Sequence, residues 1–285
     1  MPDTTASHPR PVSVFLTTPA IVAVGWLVTV AGGHVVSVAW WWILGLNIAA
    51  WIPAFLMRSE RFYDAVGSLT FLSTIAWLLF WQQPDLPTVI LLVCAGIWSL
   101  RMAWFLVSRI RQRGSDGRFD RIKTDPVRFL NAWAMQGLWA FLCLLPVLIH
   151  ADSGEPATIT PWWMAGVALW AAGFGIEVLA DEQKRRFRMR QTDGTGFIQT
   201  GLWSWSRHPN YVGEILLWTG LTLATVPTMS GWGWIAWVTP IFVFVLLRFV
   251  SGVPLLEQRA DARWSGNTEY EEYKARTPVL FPWRS

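Results

Sequence analysis

The chain has 285 residues, 53% of them hydrophobic and 22 of them Trp, with a formal net charge of +4. Its apolar residues lie in long uncharged blocks and its mean hydropathy is +0.35, which excludes a pair of ordinary soluble domains and points to helices that cross a membrane. The two cysteines, Cys94 and Cys143, both lie inside apolar blocks; neither disulfide nor zinc spacing is present, and no metal is expected.

Eight apolar blocks follow in chain order: 12–31, 35–57, 63–81, 87–108, 127–149, 161–180, 211–226 and 231–250. Each has a length near that of a transmembrane helix. The first lacks a small-residue cleavage site and reads as a retained helix. Trp residues gather near block ends (Trp40 to Trp42, Trp81, Trp162, Trp163, Trp232, Trp234), as interfacial belts require. The expected fold is an all-α polytopic membrane protein, a single membrane domain over 1–285, with seven spans if one block is re-entrant and eight otherwise. The loops alternate in charge. Arg58 and Arg61, then Arg109, Arg111, Arg113, Arg118, Arg121 and Lys123, then 184–190, then the C-terminal Arg259, Arg263, Lys274 and Arg276 are basic; the loops at 32–34, 82–86, 151–160 and 229–230 hold neither Lys nor Arg. The positive-inside rule places the basic loops and both termini in the cytoplasm.

Four places break the apolar pattern, all on the basic side. The first is Glu60, Tyr63 and Asp64, at i, i+3 and i+4, which on a helix share one face. Two carboxylates and a phenol there can donate a proton or polarise a carbonyl; acids capping a helix start, with Arg61 as counter-ion, are the plainer reading. The second is Trp98, Arg101 and Trp104. Arg101 either snorkels to the interface or pairs with Glu60 or Asp64.

The third is Glu177, Asp181, Arg185 and Arg188, at i, i+4, i+8 and i+11, after the small-residue tract Ala171-Ala172-Gly173-Phe174-Gly175 that permits close backbone approach. Acids suited to ribose hydroxyls or a carboxamide, followed by arginines suited to phosphates, are what a nucleotide needs. An intrahelical ion-pair ladder leaves Glu177, in the apolar part, without a role. The fourth is the run Arg207-His208-Pro209-Asn210-Tyr211-Val212-Gly213-Glu214 at the mouth of the seventh block. Pro209 suits a helix start, and the free N–H groups of such a start attract anions. Polar side chains at membrane depth are costly and are kept mainly where they act. No GxGxxG follows a strand and no Walker loop is present.

These residues resemble the membrane steroid 5α-reductases (3-oxo-5α-steroid 4-dehydrogenases), in the form of their bacterial relatives. The order Gly175-Ile176-Glu177 to Asp181, Arg185, Arg188, Gly201-Leu202-Trp203 and Asn210 to Glu214 carries the likeness, with Tyr273-Lys274 to Phe281-Pro282-Trp283 at the close. Glu60 to Ser68 and Trp98 to Arg101 resemble the bacterial branch's N-terminal half. The resemblance implies a bacterial inner-membrane enzyme with a cytoplasmic NADPH site and a lipid-soluble, steroid-like enone as substrate, alongside membrane lipids and no nucleic acid. Residues 1–110 would form the substrate half and 127–285 the cofactor half. Cofactor contacts would fall to Glu177, Asp181, Arg185, Arg188, Arg207, His208, Asn210, Tyr211 and Glu214, catalysis to Glu60, Tyr63 and Asp64, and substrate contacts to Trp98 and Arg101. Where animal members carry a His-rich stretch, this chain has Ser251 to Glu257. Isoprenylcysteine carboxyl methyltransferases share a similar Arg-His-Pro-x-Tyr and a late Glu but bind S-adenosylmethionine, and delta-14 and delta-7 sterol reductases share the motif with NADPH. The basic run at 184–190 and the Glu60 to Asp64 stretch favour a reductase.

Overall fold

Proline and a polar cap start the long helices. Thr160 accepts from the Trp163 amide (3.2 Å) ahead of Pro161, and Asp125 accepts from the amides of Val127 (3.0 Å) and Arg128 (3.1 Å) ahead of Pro126. The computed structural model describes residues 17–113, 119–120, 122–156, 158–191 and 196–281, with backbone alone at 105–113. Among these residues every regular element is helical: α1 (Thr18–Gly32), α2 (His34–Leu56), α3 (Tyr63–Trp81), α4 (Leu86–Arg113), α5 (Pro126–Ser153), α6 (Pro161–Arg190), α7 (Pro209–Ala224), α8 (Val238–Val245), α9 (Val253–Trp264) and α10 (Thr268–Arg276). Six segments of the described residues are long and apolar enough to cross a membrane: α2, α3, the Leu86–Trp104 part of α4, α5, α6 and Gly231–Trp264. α1 has 15 residues and α7 has 16. The protein is an all-helical integral membrane protein, and large apolar side chains such as Leu27, Leu69, Phe80 and Leu100 stand exposed on the bundle where lipid would meet them.

α5 is the central column. It is buried along most of its length and touches α1, α2, α3, α4, α7 and α8. The closest helix pair is α6 with α7, antiparallel and joined through glycine. A Cβ on Gly173 would sit 2.5 Å from the Leu217 amide, and one on Gly213 would sit 2.6 Å from the Glu177 amide. Gly166 and Gly220 face the opposite backbone in the same way further along. Gly175, also in the small-residue tract, has open space instead.

Three expectations about elements change. α6 does not stop at 180 but runs to Arg190, so the basic run is its last turns rather than a loop; Gln183 accepts from the Leu202 amide (2.9 Å) and Trp203 donates to the Ala180 carbonyl (3.0 Å), and these contacts pin the following turn to the extended helix. The block 231–250 is not one regular helix. It begins with a tight 3₁₀ segment at Gly231–Trp237, where Gly231 takes φ +49°, continues as α8 and ends in a π-turn at Leu246–Val250. Glu60 lies before the first turn of α3, so it does not share a helical face with Tyr63 and Asp64. The first five residues of the block 12–31, the side chains of Arg109, Arg111 and Arg113, and Arg118, Arg121, Pro282 and Trp283 lie outside the described residues.

The basic and uncharged loops segregate to opposite ends. The start of α4, the end of α5 and the turn after α7 meet where buried His150 sits 2.7 Å from Thr88 Oγ1 and 2.8 Å from Thr228 Oγ1. At the other end the last turns of α6, the start of α7 and α9 meet.

Candidate active site

Arg101, just past the middle of α4, reaches α6 and pairs with two of its acids. Its Nη1 donates to Glu177 Oε1 and its Nη2 to Asp181 Oδ2 at 2.5 Å. Trp98, fully buried one turn earlier, donates its Nε1–H to Glu177 Oε2 at 3.1 Å. Arg101 thus serves α6 and not Glu60 or Asp64. Arginine suits this task, because one planar fork reaches two carboxylates one turn apart. Phe174 lies beneath it, 5.9 Å from guanidinium to ring centre.

Glu214 comes from α7, through the helix pair that Gly173 and Gly213 hold together. Its side chain is 8% exposed, it lies within electrostatic reach of Glu177, Asp181 and Arg101, and its carboxyl group has no hydrogen-bond partner among the described residues. Beside these acids stand four aromatic rings from four helices. Trp98 meets Phe71 at 5.4 Å and Trp218 at 4.9 Å, and Phe71 meets Trp139 at 5.1 Å. An acid cluster walled by aromatic rings results, with polar groups toward the start of α7 and apolar surface on the other side; this walled cluster is termed the chamber.

The start of α7 closes the polar side. Arg207 Nη1 donates to Glu257 Oε2, and His208 Nε2 lies 2.8 Å from Glu257 Oε1, its ring stacked on Tyr211 with centroids 5.5 Å apart. Burial holds the His208 imidazole below its usual pKa, against the pull of the Glu257 carboxylate. Three polar atoms here are buried without a partner: Asn210 Oδ1, Arg207 Nε and His208 Nδ1. Buried polar atoms cost about 1–3 kcal/mol when unmatched, so this cluster has the character of a ligand-binding surface.

The face of α6 that carries the acids continues through Lys184 and Arg188, not through Arg185. Arg185 turns outward and shares Glu182 with Arg186, its Nε donating to Oε2 at 2.6 Å. Lys184 instead lies over the ring of Trp203, 4.3 Å from its centre. Asp181 senses both Lys184 and Arg188.

The N-terminal candidates gather elsewhere. Glu60, 7% exposed, pairs with Lys123 at 3.2 Å. Tyr63 donates its hydroxyl to the Ala132 carbonyl at 2.9 Å, with Phe119 and Trp133 around its ring at 4.7 and 5.1 Å. Asp64 follows in the first turn of α3. Tyr63 belongs to a second, smaller core cluster, distinct from the one that contains Trp98. Glu257 and Lys184 were not singled out from sequence. Glu257 stands 49 residues beyond the histidine it holds, so no local spacing marks it.

Together these features define a polytopic helical membrane protein with a charged cluster buried between α4, α6 and α7. The profile of a family described as a protein of unknown function (DUF1295) matches residues 50–277, and the chain belongs to that family. It is 28% identical over 155 residues to 3-oxo-5-alpha-steroid 4-dehydrogenase 1 of Macaca fascicularis (54% of this chain, 47% of the relative). Over 122 residues it is 30% identical to the Bos taurus protein of the same name (43% and 42%). An uncharacterized protein of Schizosaccharomyces pombe is 28% identical over 130 residues, 38% of each chain. The chain therefore matches less than half the length of each of these relatives. No solved structure matches. The likeness to steroid 5α-reductases read from the motifs is borne out, and with it a distant kinship to membrane reductases.

Proposed function

We propose that this chain is an NADPH-dependent membrane reductase of a carbon–carbon double bond conjugated with a ketone, in a lipid-soluble, steroid-like substrate. The observation that carries it is the chamber itself: Arg101 bridging Glu177 and Asp181, with Glu214 and Trp98 beside them and three unmatched buried atoms at Asn210, Arg207 and His208. The residues fit the cofactor. Asn210 Oδ1 can accept from a carboxamide or a ribose hydroxyl, the α6 acids can take further hydroxyls, and the cations Lys184 and Arg188 can face phosphates. When bound, NADPH supplies the hydride that adds to the β-carbon; a proton added at the α-carbon completes the saturated ketone.

The chain's own groups position and polarise. Arg101 fixes the α6 acids in place. The aromatic wall of Phe71, Trp98 and Trp218 excludes water and offers flat rings to a polycyclic or isoprenoid skeleton. A hydrogen bond from a protonated Glu214 to the ketone would draw charge toward its oxygen as the enolate forms. Tyr63, Glu60 and Asp64 remain the alternative polarising set. Their separate cluster favours the chamber wall over them.

The test is stabilisation of the purified protein in detergent by NADPH, NADH or S-adenosylmethionine. Saturation at about 100 times Kd should stabilise it by about 2.7 kcal/mol, and NADPH is the expected ligand. The pairing of Arg207 and His208 with Glu257 matches the Arg-His and late Glu of the methyltransferases. A shift with S-adenosylmethionine and none with NADPH would make that the better reading. A sterol delta-14 or delta-7 reductase would share the NADPH shift and differ in substrate.

A further inference from the structure

We infer that Lys184 is the phosphate-binding cation of this chamber, taking the part that residue spacing gives to Arg185. The inference rests on the nucleotide reading above and names the residue that carries it. Lys184 follows Glu177 and Asp181 by seven and three positions and precedes Arg188 by four, so all four share one helical face.

The other cations nearby are matched by acids. Arg101 holds Glu177 and Asp181, Arg207 holds Glu257, and Arg185 and Arg186 share Glu182. The Lys184 ammonium has no hydrogen-bond acceptor among the described residues. What it has is a ring face, and that ring is fixed. Trp203 is buried, donates its N–H to the Ala180 carbonyl at 3.0 Å, and accepts on its own carbonyl the Tyr273 hydroxyl at 2.8 Å. Gln183 anchors the same turn through the Leu202 amide, and Gly201 takes φ +64° there, where an added Cβ would also meet Gln183 Oε1 at 2.7 Å. A cation–π seat holds an ammonium in place while leaving its three N–H donors for something else. Asp181 and Arg188 lie one turn to either side of it on the same face. A phosphate ester supplies the hydrogen-bond acceptor that the Lys184 ammonium lacks. The compact ammonium of lysine, seated on a rigid indole, gives the site a fixed point charge.

The experiment measures dissociation constants of NADPH and NADH, with S-adenosylmethionine as the phosphate-free control, for the full-length protein in detergent. Lys184→Met keeps the packing on Trp203 and removes the charge. It should weaken NADPH at least about tenfold, the loss expected for one charge-assisted bond, and flatten the dependence of Kd on salt. Lys184→Arg should stay within a few-fold of the unmodified chain. Loss for NADPH alone assigns Lys184 to the 2′-phosphate; equal loss for NADH assigns it to the pyrophosphate; both uphold the inference. Unchanged NADPH affinity and salt dependence in a folded Lys184→Met would overturn it. If that variant does not fold, Lys184→Gln is read by the same criteria. An unmodified chain that binds S-adenosylmethionine and neither nucleotide would overturn the nucleotide reading itself, and Lys184 with it.

Discussion

At the scale of single residues, Glu257 joins the motif at the start of α7 to a helix far along the chain, with Arg207 on one carboxylate oxygen and His208 on the other. Glu257→Ala leaves a guanidinium without its counter-ion and an imidazole without its acceptor. The group is partly exposed, so screening trims the cost, and we expect a loss of about 1–2 kcal/mol, read as a lower melting temperature in detergent. The same pair predicts a pH effect. Burial sets the folded-state pKa of His208 below its ordinary value, near 6.5 in an unfolded chain. The unfolded chain therefore takes up the proton first as pH falls. The stability this residue contributes is complete above about pH 6.5 and is lost below it. A melting curve from pH 7.5 to 5.5 should fall less steeply in His208→Gln than in the unmodified chain; equal slopes would remove His208 as the cause. Arg207 and His208 were legible because polar residues at membrane depth stand out in an apolar background. Glu257 was not, since its partner lies 49 positions back and only folding brings them together. Arg101 shows the same limit. Its buried charge was plain in the sequence, but which acids it meets depends on how α4 crosses α6.

At the scale of elements, the chamber depends on how closely α6 and α7 approach. Hydrophobic pressure between helices is weak in lipid, so close backbone contact carries much of the association. Gly213 makes the point, because its missing Cβ leaves 2.6 Å to the amide of Glu177, the residue that holds Arg101. Gly213→Val should force the helices apart and cost about 3 kcal/mol, the upper range for overpacking; NADPH stabilisation should fall with it. Gly175→Ala is the matched control. Open space surrounds that position, and alanine should leave the melting temperature unchanged or raise it, since glycine costs a helix up to about 1 kcal/mol relative to alanine. Equal sensitivity at both positions would contradict the antiparallel glycine contact. The small-residue tract advertised close approach, but Gly173 and Gly175 differ by 200° around a helix of 3.6 residues per turn. Only the partner's position decides which one is used. The apolar block ends at 180 while α6 runs to Arg190 for a related reason: charge density marks the membrane boundary, whereas the helix continues through it wherever other elements dock on its far turns.

At the scale of the whole molecule, the two ends of the bundle differ in charge and in content. One carries the chamber, Lys184 and α9 and α10; the other carries the His150 contacts and loops without Lys or Arg. We propose that the chamber end faces the cytoplasm, as the positive-inside rule requires and as a supply of soluble nucleotide would demand. The two native thiols make this simple to test. Cys94 and Cys143 are both buried, so a membrane-impermeant maleimide should leave the unmodified chain unlabelled in intact spheroplasts. Ser230 and Ser265 are both exposed, the first between α7 and α8, the second between α9 and α10. Ser230→Cys should label from outside without permeabilisation. Ser265→Cys should label only after the membrane is opened. The reverse pattern would turn the bundle over and put the chamber out of reach of cytoplasmic NADPH, which would defeat the reductase reading however well the isolated protein bound the nucleotide. Labelling of both from outside would mean that no span, or an even number of spans, lies between them, and would contradict a single crossing by Gly231–Trp264.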